Sequence, residues 1–322
     1  MAGQLFLQNV IAIIWDFDKT LIPGYMQTPL FKHFRVEEAR FWAEVNALPE
    51  HYRRLGVHRV SNDSIYLNHI LTYVQARIFA GLTNALLRKL GAELEFYPGL
   101  PEFFEAAREE ARSKLEYIKH EIAVEHYIVS TGLREMIRGS KLNPYVDDIW
   151  ACEFVEGCPQ PGFLDNQQGS LPDGEAVITD IAYAIDNTSK TRAVFEINKG
   201  TNKFSTIDVN ASFGLTDRRV PFQNMIYIAD GPSDVPVFSI IKQYGGLPLA
   251  VYKPRSEREF EQAYNLQQQG RVQSFGEANY IAGSHTYMLI INGIRRIADR
   301  IVYDREDAIG DKTGKPPEQF LE

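Results

Sequence analysis

The chain is short of cysteine, of basic charge and of long apolar runs. Two cysteines in 322 residues, Cys152 and Cys158, are too few for a disulfide scaffold, and no second pair completes a zinc site. Two free structural thiols are expected. Lys and Arg number 34 against 42 Asp and Glu, a formal net charge of -8, which argues against general nucleic-acid binding because that needs a surplus of cations facing phosphates. A local basic pocket is still compatible with it. No stretch has the roughly 18 uninterrupted apolar residues of a membrane span, and Met1 to Gln8 lacks the basic region of a secretion signal. The expectation is a cytoplasmic protein that engages neither membrane nor nucleic acid. Internal repeats and low-complexity tracts are absent as well.

What is present is ordinary for a globular chain, 44% hydrophobic and 24% charged, long enough for one large domain or a core with a smaller companion. The most informative stretch is Ile11-Ala-Ile-Ile-Trp-Asp-Phe-Asp-Lys-Thr20. Its apolar, β-branched opening reads as a strand buried on both faces. Asp16 and Asp18 stand where that strand ends, two apart, so that continued extension would point both the same way. Two such charges are unstable together without a cation or a proton between them. Asp-x-Asp-x-Thr also suits plain turn chemistry, because Asp and Thr side chains bond nearby backbone N–H groups. The weight therefore falls on partners farther along.

Past Pro23-Gly24, helical spacing of apolar residues predicts helices over about 31–55 and 64–90, the second with N-cap candidates at Ser61 to Asp63 and a stop at Gly91. This helical insert is rich in His and Arg, none of which is singled out as a contact. Pro98-Gly99-Leu100-Pro101 closes it, and a helix from about 102 to 120 follows. Tyr127-Ile-Val-Ser-Thr-Gly132 reads as a strand ending in hydroxyls, with a helix from about Leu133 whose first N–H groups would suit an anion. Strands are expected over 150–155 and 176–185, with a Pro- and Gly-rich hairpin-like excursion between them. Asp186-Asn-Thr-Ser-Lys190 opens a helix. Lys190 in its first turn opposes the helix dipole, so something negative is expected beside it.

After an irregular segment, 201–223, Met225-Ile-Tyr-Ile-Ala-Asp-Gly-Pro-Ser-Asp234 is again an apolar strand running into acid, at Asp230 and Asp234. Turn chemistry could explain either aspartate. It does not easily explain two buried strands that each end in a pair. Strands over 247–251 and 272–275, helices over 257–268 and 284–302, and a loosely held tail from Asp304 complete the chain. Alternating strands and helices imply an α/β fold with a mostly parallel sheet covered on both faces. Ligands bind such sheets beyond the carboxyl ends of the strands, where Asp16, Asp18, Ser130, Thr131, Asp230 and Asp234 would gather with Lys190.

These motifs, in this order over residues 11 to 234, resemble those of the haloacid dehalogenase-like superfamily, in particular its phosphoserine phosphatase-like members. The resemblance implies a Rossmann-like core at 1–20 and 98–322 with a helical cap at 21–97. It implies a phosphatase acting on a small phosphorylated metabolite through an aspartyl phosphate, since a closing cap would limit substrate size. Asp16 would be the nucleophile and Asp18 the acid and base. Thr20, Ser130, Thr131, Gly132 and Lys190 would bind phosphate, with Lys199 and Lys203 as fallback lysines. Mg²⁺ would be held by Asp16, Asp18 (through its carbonyl) and Asp230, with Asp234 in support. Two departures stand out: Ala229 replaces the usual first glycine of the last motif, and 40 residues separate Lys190 from Asp230. A phosphomutase, or a binding protein that keeps the fold without catalysis, are the alternatives.

Overall fold

The computed structural model describes residues 6–158, 161–162, 164 and 176–313. Among these, β1 (Val10–Trp15) is followed by four helices, α1 (Thr28–Phe34), α2 (Glu38–Arg54), α3 (Ile65–Gln75) and α4 (Asn84–Gly91). Next come α5 (Glu102–Glu110), α6 (Leu115–Lys119), β2 (Ala123–Leu133) and α7 (Arg134–Gly139). The chain then forms β3 (Asp148–Glu156), β4 (Ile178–Tyr183), α8 (Ser189–Lys199), β5 (Met225–Ala229) and α9 (Val235–Gln243). It ends in β6 (Leu247–Tyr252), α10 (Glu257–Gln268), β7 (Ser274–Glu277) and α11 (His285–Thr313).

The seven strands form one sheet in the order β4-β3-β2-β1-β5-β6-β7, parallel except where β4 runs antiparallel to β3. Every residue of β1 and of β5 is buried. Successive side chains on a strand point to opposite faces, so both faces are covered, as the apolar runs required. From β1 the chain crosses to β2 on one side and later to β5 on the other. This is the switch point at which such sheets open a crevice.

The expected helices are present but broken. Arg35, at φ 55°, separates α1 from α2, and Arg77 and Gly81, at φ 58° and 77°, lie between α3 and α4. A left-handed residue cannot continue a helix. Ser61 to Asp63 do not cap α3, whose N-cap is Ser64 and carries no side-chain cap bond. Gly91 belongs to α4, and its bareness serves a contact. A Cβ there would lie 2.0 Å from the Met136 carbonyl oxygen, and one on Gly139 would lie 1.7 Å from that of Arg88. The backbones of α4 and α7 thus touch, with the Arg88–Glu135 ion pair alongside.

Residues 21–97 form a loop out of the sheet whose ends meet, Tyr97 N–H donating to the Leu21 carbonyl at 3.0 Å. The segment is tied back to the sheet by Ile178 N–H on the Leu82 carbonyl (3.0 Å) and Asn84 Nδ2 on that of Phe154 (3.0 Å). Cys152 is buried and Cys158 exposed, both free. The hairpin-like excursion joins antiparallel strands, but most of its tip lies outside the described residues, as does the tail beyond residue 313. Residues 304–313 continue α11. No helix among the described residues is long and apolar enough to cross a membrane.

Candidate active site

Beyond the carboxyl ends of β1, β2 and β5 lies a cleft of about 320 Å³, lined in part by Asp16, Asp18, Ser130, Thr131, Lys190 and Asp230. The sheet explains the convergence. Ile14 and Trp15 pair in parallel with Tyr227 and Ile228 of β5, and Asp16 N–H continues the ladder to the Ile228 carbonyl at 2.9 Å. Asp16 and Asp230 therefore leave neighbouring strands at nearly the same level. Carboxylate oxygens of Asp16, Asp230 and Asp234 lie within 4.8 Å of one another.

Lys190 reaches this cluster from the first turn of α8. Its Nζ donates to Asp16 Oδ1 and to Asp234 Oδ1, both at 2.7 Å, with the lysine 1% exposed. The carboxylates offset the unfavourable position at the start of a helix. Burial opposes the charge on Lys190, and Asp16 and Asp234 overcome that penalty, holding its ammonium above the ordinary lysine range. Asp186 caps this helix, accepting from Thr188 N–H at 2.9 Å and Ser189 N–H at 2.6 Å.

The four aspartates are not equivalent. Asp234 is fully buried and fully used: Oδ1 also accepts from the Tyr227 hydroxyl at 2.5 Å, and Oδ2 from Ser233 Oγ at 2.8 Å. Asp18 points its Oδ1 at Met26 N–H (2.9 Å) and its carboxylate stands outside the three-aspartate cluster. Asp230 accepts no hydrogen bond to its carboxylate among the described residues. Burial, then the charges of Asp16 and Asp234, push it well above the ordinary aspartate range. Asp18 is raised to about 8, by burial first and Asp16 second. Asp16 is raised to about 6, burial and Asp234 outweighing the pull of Lys190.

Such crowding tests whether a metal fits. Three carboxylates, Asp16 and Asp234 buried and Asp230 half-buried, face one ammonium, and that of Asp230 has no donor among the described residues; hard oxygen donors arranged so are suited to a divalent cation. The two carboxylates expected as ligands, Asp16 and Asp230, are both in the cluster, and the third is Asp234, expected in support; Asp18 was expected to offer its backbone carbonyl, not its carboxylate. Lys190 and Tyr227 occupy Asp234, which leaves Asp16 and Asp230 as the open pair.

Two expected phosphate ligands are engaged within the protein. Thr20 is buried, its hydroxyl 3.4 Å from Asp16 Oδ2. Gly132 donates its N–H to Ser130 Oγ at 3.0 Å, and its bare Cα faces Met26, whose methyl carbon would lie 2.2 Å from a Cβ there. The N–H of Leu133 donates to Met26 Sδ at 3.0 Å. The start of α7 therefore spends these amides internally, and Ser130 and Thr131 are what the strand end offers. The fallback lysines are spent elsewhere. Lys199 donates to the Ala211 carbonyl at 2.7 Å, and Lys203 lies 3.6 Å from Asp147.

Several residues of the site were not foreseen. Gln262, on α10, lines the cleft and donates to the Asp230 carbonyl at 3.3 Å. Tyr66, on α3, donates to the Thr131 carbonyl at 2.7 Å and ties the helical insert to the end of β2. Lys19, Tyr25, Asp63, Asn187 and Ser233 also line the cleft. Of these only Lys19 carried a signal, as a cation inside the Asp-x-Asp-x-Thr motif.

No family model matches the chain. An uncharacterized protein of Borreliella burgdorferi is 40% identical over 290 residues, 89% of this chain and 97% of that protein. Among solved structures, a HAD family hydrolase of Salmonella enterica serovar Typhi is 13% identical with a TM-score of 0.49, over 83% of this chain and 66% of that one. A probable phosphoserine phosphatase of Vibrio cholerae is 12% identical at TM-score 0.46, over 92% and 68%. A phosphoserine phosphohydrolase-like protein of Francisella tularensis is 17% identical at TM-score 0.43, over 82% and 94%. The layout of this chain is similar to theirs.

Proposed function

This chain belongs to one family with the Borreliella burgdorferi protein, and we propose that its site hydrolyses a small phosphomonoester through an aspartyl phosphate on Asp16. The observation that carries the reading is the clamp on Asp16. Lys190 holds one of its oxygens at 2.7 Å while the partnerless carboxylate of Asp230 stands in the same cluster. A nucleophile held in this way, beside cationic charge for the incoming phosphoryl oxygens, suits phosphoryl transfer, where positioning and charge stabilisation dominate.

In the proposed cycle an oxygen of Asp16 attacks phosphorus and the ester oxygen departs with a proton from Asp18. Asp18 is raised to about 8 and Asp16 to about 6, so near neutrality the first keeps a proton to give while the second is ionised to attack. Met26 N–H fixes one oxygen of Asp18 and leaves the other for that proton. Asp18 then takes a proton from the water that cleaves the acyl phosphate, restoring both residues. Ser130 and Lys190 bind the transferring group. Asp16 and Asp230, with the carbonyl of Asp18, would hold Mg²⁺, which supplies Lewis-acid neutralisation of phosphoryl charge when bound. Residues 21–97 act as the cap over a core of 1–20 and 98–322 in this reading, which also takes the protein to be cytoplasmic.

The test is release of phosphate from a generic aryl phosphate with and without Mg²⁺, beside the Asp16→Asn variant. Activity undiminished in that variant removes the nucleophile. A mutase would instead pass phosphate to an added alcohol acceptor faster than to water.

A further inference from the structure

Lys19 stands between the two motif carboxylates and Thr20, in the left-handed region at φ 58°. A side chain there costs energy that glycine would avoid, and such strain is kept where a residue has work to do. Its ammonium reaches the cleft and sits 4.6 Å from the centre of the Tyr25 ring, which is itself 43% exposed and leans on Trp42 of α2. Among the described residues Lys19 forms no ion pair. Tyr25 hydrogen-bonds it, Asp230 and Glu259 act on it at longer range, and Glu259 is engaged by Lys253 N–H at 2.8 Å. Lys190, the other cation of the cleft, is consumed by Asp16 and Asp234. Lys19 is thus the cleft's one ammonium left for the part of a substrate that is not the transferring phosphoryl group.

Resting on the phosphomonoesterase reading, we infer that Lys19 is a specificity-determining residue and that the leaving group carries a second anionic group, a carboxylate or a phosphate, bound by its ammonium against the Tyr25 ring. Asp63, the carboxylate that faces the cleft from the helical insert, disfavours an anion on its own side and so directs that group toward Lys19. Charge-assisted contacts of this kind discriminate by about ten-fold or more.

Three probes share a phosphomonoester and differ in the leaving group: ethyl phosphate is neutral there, 2-phosphoglycolate bears a carboxylate, and 1,3-propanediol bisphosphate bears a phosphate. With Mg²⁺ present, kcat/KM on at least one anionic probe is expected to exceed that on ethyl phosphate by about ten-fold or more, and which one identifies the source. Lys19→Gly, which suits the positive φ, is expected to collapse that ratio toward one, and Lys19→Arg to keep most of it. A wild-type ratio near one, or a ratio unmoved in Lys19→Gly, overturns the inference. Calorimetric binding of phosphonoacetate against ethylphosphonate reads the same preference without turnover. Should no probe be hydrolysed while phosphonoacetate binds more tightly through Lys19, the catalytic reading fails and Lys19 is left as the selector of a second anion on a bound ligand; equal binding, or none, overturns the inference.

Discussion

Lys190 Nζ is equidistant, at 2.7 Å, from Asp16 Oδ1 and Asp234 Oδ1, and all three side chains are buried. One cation thereby separates two carboxylates that come from opposite ends of the core sequence. Removing it leaves both charges facing each other without compensation, which typically costs about 3–5 kcal/mol. Lys190→Met is expected to lose that much in urea melts at pH 8. The loss should shrink toward pH 5, because Asp16 is already raised to about 6 and protonation then does what the ammonium did.

Asp18 is the group whose removal should show most selectively in the leaving group. General acid catalysis contributes about 10²–10⁴-fold, but a leaving oxygen that departs easily needs little of it. Asp18→Asn is expected to lose about 10³-fold in kcat on an alkyl phosphate and far less on a nitrophenyl phosphate. Equal losses on both would place Asp18 outside the proton transfer.

A divalent cation that relieves the crowding of Asp16, Asp230 and Asp234 also stabilises the fold. At a concentration about 100 times its Kd, a ligand of the native state adds about 2.7 kcal/mol. Mg²⁺ is therefore expected to raise the midpoint of thermal unfolding and chelation to lower it again. In Asp230→Asn the rise should largely vanish, measured by calorimetry on the same preparations.

Far from the cleft, His126 is buried between Trp15 Nε1, which donates to its Nδ1 at 3.2 Å, and the Phe104 carbonyl, 3.1 Å from its Nε2. Burial, aided by Arg108, depresses its pKa from 6.5 to about 3. Between those values the unfolded chain binds a proton that the folded one refuses, so this stability is whole above pH 6.5 and is lost as pH falls toward 3. The loss amounts to about 5 kcal/mol over the window. His126→Gln, which can keep both hydrogen bonds, should flatten the acid side of the stability profile relative to wild type.

The sheet was legible because buried parallel strands must be apolar on both faces, and Ile11 to Trp15 and Met225 to Ala229 are. The acidic pairs were legible because they end those strands. Element breaks were less so: nothing local announces that Arg35 or Arg77 turns left-handed. The packing around Gly132 was illegible for a related reason. A motif names residue types, but what lies against Gly132 is Met26, which arrives from the helical insert. Gln262 and Tyr66 lie beyond any sequence signal, since each acts only through a backbone carbonyl far away in the chain.

The bare contacts of Gly91 with the Met136 backbone and of Gly139 with the Arg88 backbone bear on how the helical insert is held. Two main chains in direct touch leave no side-chain layer between α4 and α7 to slide on, and the Tyr66 hydroxyl ties α3 to the end of β2 through the Thr131 carbonyl. Both attachments resist a rigid swing of the whole insert away from the core. The turn between α2 and α3, residues 55–64, which includes Gly56 at φ 87°, is tied down by neither contact and delivers Asp63 to the cleft.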